Sequence, residues 1–475
     1  MKKVTKLVSL GLILFLSSAL VSLKAEIKMP AIFGDNMVLQ QQSDVAIWGW
    51  AKPNSSVRVT TSWNKKSYSA KSNGEGYWKL KVQTPAAGYT PYSITISDGK
   101  SITLQNILIG EVWVCSGQSN MEMPMKGFYN QPIEGGPEAI ATSRNLGIRC
   151  FTMKRASKAA PQEDGEGTWE VAGPDTTPNF TATGYYFARL LNQTLDVPIG
   201  LIHTSWGGSR IEAWLTPSSI KSVIPDVRFP ATDADIKNQI NDPAVLYNGM
   251  IHPIVGFGIR GAIWYQGESN RGEPEQYVEL FDKMVRGWRD IWGVGEFPFY
   301  YCQIAPFNYG GGLNSGFIRE AQAKGMQTTP NTGMAVLMDS ESPDCIHPPK
   351  KKLAGERLAF WALAKTYGME KMHYKSPDVK SVTMDGRVAI ITLDMPSNPG
   401  LTTHGKEILQ FQIAGENKMF LPAKAAISGN RIFVFSPNVE KPVAVRYCFN
   451  DTAATEIFTV EGNLPLSSFR TDDWK

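Results

Sequence analysis

The chain has 475 residues, 42% hydrophobic and 19% charged, an ordinary balance for globular protein that excludes disorder over most of its length. Forty-eight Lys and Arg face 44 Asp and Glu, but Lys2, Lys3, Lys6 and Lys24 fall in residues 1–25, which contain no acid. The remainder is formally neutral, which argues against a nucleic acid partner, since that needs a basic stripe, and against electrostatic docking on an anionic membrane.

Residues 1–25 have the pattern of a secretory signal: a basic start, an apolar stretch from Leu7 to Val21, and Ala25 as the cleavage position. The mature chain is therefore expected to be exported, to the periplasm or the outside. No later segment has the ~20 apolar residues of a membrane span, so no membrane insertion is expected after signal removal. The five cysteines, Cys115, Cys150, Cys302, Cys345 and Cys448, are too few and odd in number for a disulfide framework. Neither CxxC nor HExxH occurs, and neither a metal nor a cofactor is expected. No signature of an oligomeric state is present.

From residue 26 to 106, short runs rich in Val, Ile, Thr and aromatics (45–50, 57–63, 78–82, 92–97) alternate with the turn signals Asn73-Gly74 and Asp98-Gly99. This pattern predicts a small β-sandwich. At residue 107 the pattern changes. Apolar runs at 107–114, 199–204, 260–265, 299–304 and 334–338 predict buried strands, with helical stretches between some of them. In the clearest helix, Tyr277, Leu280, Phe281, Met284, Val285, Trp288, Ile291 and Trp292 share one face. Residues 184–195 and 353–367 also predict helices, the second ending at Gly368. Strands alternating with helices predict a doubly wound parallel sheet over 107–376. Strand-like runs return from 377 to 475 and predict a second β-rich module.

In an open α/β sheet the ligand crevice lies beyond the carboxyl ends of the strands. The residues just past each predicted strand are therefore the candidates for chemistry. Val114 is followed by Cys115-Ser116-Gly117-Gln118-Ser119-Asn120-Met121, and Thr204 by Ser205-Trp206-Gly207-Gly208-Ser209-Arg210. Tyr265 is followed by Gln266-Gly267-Glu268-Ser269-Asn270, and Met338 by Asp339 and then Asp344-Cys345-Ile346-His347. Ser119 is a candidate nucleophile, although a serine at such a turn often only caps a helix. Asp344, three residues before His347, is at a spacing that lets a carboxylate orient an imidazole acting as general base. The Gly207-Gly208 turn allows close backbone approach to a substrate, and a backbone N–H there is a candidate oxyanion donor. The side chains of Gln266 and Asn270 are candidates for a further donor. Glu268 is a candidate for orienting neighbours or binding sugar.

These four segments, in this order, resemble the Ser, Gly, GxxN and DxxH blocks of the SGNH-hydrolase superfamily. The segments EVWVCSGQSNMEMP (111–124), TSWGGSRIEAW (204–214) and WYQGESN (264–270) resemble the sialate O-acetylesterase family more closely. The stretches MVLQQ (37–41) and VAIWGWA (45–51) are similar to that family's N-terminal region, so the likeness covers nearly the whole mature chain. The resemblance implies an SGNH-like sheet flanked by N- and C-terminal β modules. It also implies a secreted serine esterase acting on an O-acetylated sugar, with sialic acids preferred over xylan or another polysaccharide. A non-catalytic carbohydrate-binding protein is the alternative from another class; the intact Ser, Asp and His set speaks against it.

In this reading Ser119, His347 and Asp344 are catalytic, and the oxyanion is held by the N–H groups of Ser119 and Gly208 with Gln266, or alternatively Asn270. Gln118, Arg210 and Glu268 contact the substrate, with Arg210 a candidate for a sugar carboxylate. An acid limb in the pH profile is expected near the ordinary histidine pKa of about 6.5. The Ser block departs from the superfamily in reading Gly-Gln-Ser, and Pro124 close behind Ser119 predicts that no long helix comes after it.

Overall fold

A computed structural model describes residues 27–340, 342–396 and 400–474. The segment 1–25 read as a signal lies outside the described residues. Six strands come first: β1 (Val38–Gln40), β2 (Asp44–Trp50), β3 (Ser56–Thr61), β4 (Ser67–Lys71), β5 (Tyr77–Gln83) and β6 (Gly88–Ser97). Strand β4, Ser-Tyr-Ser-Ala-Lys, carries no apolar alternation strong enough to be seen in the sequence; its pairing with β3 makes it a strand.

Strand β7 (Ser101–Gly117) joins this region to the centre. Its first part pairs antiparallel with β6, and its second part pairs parallel with strands of the central sheet. The module boundary expected at 106/107 thus falls inside one continuous strand. The helices α1 (Ser119–Glu122) and α2 (Gly136–Ala141) come next, then β8 (Asn145–Met153), β9 (Gly167–Ala172), α3 (Ala182–Leu195) and β10 (Ile199–Ser205). After α4 (Pro217–Val223) come β11 (Gly261–Tyr265), α5 (Pro274–Trp292), β12 (Phe299–Cys302), α6 (Gly316–Thr328), β13 (Thr332–Ala335) and α7 (Lys351–Trp361). The predicted last helix is continued by a π turn at Ala362–Thr366 rather than by α-helix throughout.

The central sheet runs β13-β12-β11-β7-β10-β8-β9. All neighbours are parallel except β9, which is antiparallel to β8. Alternation along the strands sends successive side chains to opposite faces. Val112, Val114, Ala262, Trp264, Phe299 and Tyr301 face the core that includes α5. Trp113, Cys115, Ile263, Tyr265, Tyr300 and Cys302 face the core that includes α3 and α7. The predicted stripe of α5 is buried from Tyr277 to Trp292, apart from the partly exposed Ile291.

The C-terminal region opens with β14 (Asp378–Asp385) and β15 (Val388–Asp394), whose four-stranded sheet is completed by Arg431–Phe435 and Lys424–Ser428. A second antiparallel sheet contains Phe411–Ala414, Phe420–Pro422, Ala444–Tyr447 and Phe469–Arg470. Arg319 of α6 pins this region to the centre. It is fully buried and donates to the Cys448 carbonyl at 3.2 Å and to Ser468 Oγ at 3.0 Å. Such a buried guanidinium is tolerated because its donors are satisfied. Among the described residues no helix is long and apolar enough to cross a membrane.

Candidate active site

The site is built where the sheet reverses its winding. Gly117 at the end of β7 pairs with Ser205 of β10 on one side and Tyr265 of β11 on the other, so three strands end at one level. Strands β10 and β11 leave β7 in opposite directions, and a crevice opens at such a switch point. The backbone at Gly117 has φ +134°, and a Cβ there would stand 2.2 Å from the Tyr265 carbonyl oxygen. Only glycine lets the chain turn here, and the turn delivers Ser119 as the first residue of α1. Helix α1 ends after one turn, before Pro124, as expected. Ser119 is half-buried, and among the described residues no acceptor stands on its N–H.

The turn after β10 is fixed against this serine. Trp206 N–H donates to the Gly117 carbonyl at 3.1 Å, and Gly207 N–H donates to Glu122 Oε2 at 2.8 Å. Glu122 is in turn paired with Arg155 at 2.6 Å. A Cβ at Gly207 would stand 3.0 Å from Glu122 Oε2 and 3.2 Å from the Ser119 Cβ, so a larger residue would press on both. The next N–H, that of Gly208, has no acceptor among the described residues.

The turn after β11 holds its side chains differently from expectation. Both N–H groups of Gln266 are spent on protein, one on the Ser209 carbonyl at 3.1 Å and one on Asn270 Oδ1 at 2.7 Å. Asn270 accepts from Ile211 N–H and donates to Glu212 Oε2 at 2.9 Å, and it is buried. The preferred oxyanion donor, Gln266, therefore has no N–H to offer, and Asn270 serves as the hub of a structural network. Gln118 is the free amide. Its Oε1 accepts from the N–H groups of Gly267 (3.3 Å) and Ser269 (3.4 Å), while its Nε2 carries no protein acceptor among the described residues.

Arg210, expected to meet a sugar carboxylate, is instead paired with Glu212 at 2.7 Å and Glu273 at 2.5 Å. The two carboxylates engage its Nε and Nη2.

The imidazole of His347 is partly buried and packs edge to face with Phe128, at 5.2 Å between centroids. Its Nδ1 is hydrogen-bonded to Gln131 Oε1 at 2.5 Å. An amide oxygen at Nδ1 requires Nδ1–H and leaves Nε2 bare to accept a proton. Burial, assisted by the positive charge of Lys351, lowers the imidazole pKa to about 4, so the expectation near 6.5 is corrected downwards. Asp344 is exposed, and no hydrogen bond joins it to His347. The predicted orienting carboxylate is therefore replaced in this structure by Gln131.

Asn120 ties the serine turn to the histidine loop. Its Nδ2 donates to Glu268 Oε1 at 2.6 Å and to the Ile346 carbonyl at 3.0 Å. Its Oδ1 accepts from Lys351 Nζ at 2.7 Å, and Lys351 also donates to the Pro348 carbonyl at 2.8 Å. The residues on both sides of His347 are thus held from one buried cluster. Burial raises the Glu268 carboxyl above its ordinary pKa, against its own backbone N–H, Asn120 and Lys351. Burial likewise brings the Lys351 amine down to about 7, with Glu268 opposing. Glu268 is therefore not free to bind sugar through Oε1. Asn120 and Glu122 stand inside the EVWVCSGQSNMEMP segment without having been singled out, and Gln131 and Lys351 gave no sequence signal.

A family description, carbohydrate esterase, sialic acid-specific acetylesterase, matches residues 109–359. The chain belongs to this family, and it is a carboxylic ester hydrolase acting on O-acetyl groups of carbohydrate. It is 29% identical to sialate O-acetylesterase of Rattus norvegicus over 81% of this chain and 82% of that protein. It is 27% identical to sialate O-acetylesterase of Homo sapiens over 83% of this chain and 82% of that one. Among solved structures, a carbohydrate acetylesterase from Xanthomonas citri superposes with a TM-score of 0.85 at 36% identity, covering 94% of this chain and all of that one.

Proposed function

We propose that this chain is an exported serine esterase that removes O-acetyl groups from sialic acids through an acetyl-serine intermediate, in an SGNH-type active site. The observation that carries the reading is the tie through Asn120, which links the Ser119 turn to the loop of a His347 whose Nε2 is left bare. Ser119 Oγ attacks the acetyl carbonyl, and His347 Nε2 takes its proton. The oxyanion is held by the N–H groups of Ser119 and Gly208, both without an acceptor among the described residues, and by Gln118 Nε2 in place of Gln266. His347 then protonates the departing sugar oxygen. Water attacks the acetyl-enzyme as His347 takes its proton, and the proton returns to Ser119 Oγ as acetate leaves. The β-rich regions at 26–106 and 377–475 position the catalytic domain and take no part in the chemistry.

The test is release of acetate from an O-acetylated sialic acid by the intact protein and its Ser119→Ala variant, with a serine-directed phosphonate as label. Loss of turnover in the variant and an adduct on Ser119 are expected. Full activity in the variant, or an adduct on another serine, overturns the reading.

A further inference from the structure

With Arg210 paired, the site still has one uncompensated guanidinium, on Arg271. It stands one residue beyond Asn270 and three beyond Glu268, on the turn after β11. Its Nε and Nη1 are buried and have no hydrogen-bond partner among the described residues. Among the described residues none of its nitrogens is hydrogen-bonded or ion-paired, and it feels the Glu268 carboxyl only through space. Its planar face lies on the ring of Tyr309, 3.5 Å from the centroid. That ring is braced by Phe307, edge to face at 4.8 Å. Other cations around the crevice are spent: Arg155 on Glu122, Arg210 on Glu212 and Glu273, Lys351 on Asn120 and Pro348.

Guanidinium nitrogens withdrawn from water without a partner, as Nε and Nη1 are here, are costly to the fold. Stacking on Tyr309 compensates one face but satisfies no N–H. Stacking also fixes the plane, so an edge is presented with little further loss of side-chain freedom, which suits a planar carboxylate. Glu268, on the same turn, spends Oε1 on Asn120, and its Oε2 makes no hydrogen bond to Arg271, so it does not supply that acceptor. The geometry points to Arg271 as the residue that recognises the carboxylate of an acidic O-acetylated sugar in this site. This rests on the esterase reading and deepens it: an anion carried by the sugar completes the guanidinium, and a neutral acetylated sugar leaves it unpaired.

The experiment compares kcat/KM for an O-acetylated methyl glycoside of N-acetylneuraminic acid with that for its C1 carboxamide, which keeps the shape and removes the charge. The native protein is expected to favour the acid by ~10-fold or more, the order expected of a hydrogen bond between charged groups. In Arg271→Gln the ratio falls to about one, mostly through KM of the acid, whereas Arg271→Lys keeps part of the preference. Because the readout is a ratio within each variant, partial loss of folded protein cancels. An unchanged ratio in Arg271→Gln, or no preference in the native protein, overturns the assignment. Hydrolysis that survives Ser119→Ala overturns the esterase mechanism instead, so the two failures are told apart.

Discussion

Asn120 donates its side-chain N–H to the Ile346 carbonyl at 3.0 Å, so the residue after Ser119 holds the residue before His347. The same side chain accepts from Lys351, which grips the chain again at Pro348. The relative placement of the serine turn and the imidazole is therefore set by a buried amide and a buried amine, held in a low-dielectric cluster where unsatisfied groups are costly.

Asn120→Ala should lower kcat on a small acetyl ester by ~10- to 100-fold while KM changes little, because geometry is lost and the binding surface is kept. It also leaves Glu268 Oε1 without its donor and removes one of the two acceptors of Lys351, and a loss of about 1–3 kcal/mol of stability is expected. Steady-state kinetics and denaturant unfolding check both; unchanged kcat counts against a positioning role.

Gln131 and Asp344 make opposite predictions. Gln131→Ala should reduce kcat by about tenfold or more, since it releases Nδ1 and with it the productive tautomer. Asp344→Asn, at an exposed position, should cost less than about threefold, as surface changes away from a network do. A loss of several orders of magnitude in Asp344→Asn would restore the carboxylate to the role the DxxH spacing suggests.

The pH profile of kcat/KM should keep its plateau well below neutrality. A general base works deprotonated, and burial lowers the His347 pKa to about 4. The acid limb should therefore appear near pH 4 instead of near the ordinary histidine value of about 6.5. A midpoint above pH 6 would mean that the imidazole is better solvated than its surroundings here allow.

Gly117→Ala should abolish soluble, active protein or lower stability by more than about 3 kcal/mol, because a non-glycine residue is strained at this φ and its Cβ meets the Tyr265 carbonyl. Thermal unfolding of whatever folds is the measurement. A well-folded, fully active variant would show that the turn is looser than the strand register implies.

Arg210→Gln should leave the preference for an acidic over a neutral sugar intact. It should destabilise the protein by a few kcal/mol, of order 3, because Glu212 loses its ion pair while buried. A collapse of the substrate preference in this variant, with stability unchanged, would return the carboxylate-binding role to Arg210.

The sequence by itself determined which segments meet. Apolar runs mark the strands, and the residues next in the chain, Gln118-Ser119, Gly207-Gly208 and Gln266 to Asn270, must emerge at the strand ends because parallel strands all point one way. The stripe from Tyr277 to Trp292 was equally legible, since its period is a property of neighbouring residues. The strands β4, β8 and β9 were not: β4 is polar, and all three are made by their pairing with other strands. Only the tertiary structure decided which side chains are free. Gln266 and Arg210 have the right chemistry, but the Gln266 amide is taken by Ser209 and Asn270, and Nε and Nη2 of Arg210 by Glu212 and Glu273. The group that holds His347 comes from Gln131, 216 residues away, and the one that holds Asn120 from Lys351, 231 residues away. A hydrogen-bond donor or acceptor has a fixed capacity that is filled by whatever lies beside it in space. Spacing along the chain therefore locates a site but does not tell which of its groups remain available for the substrate.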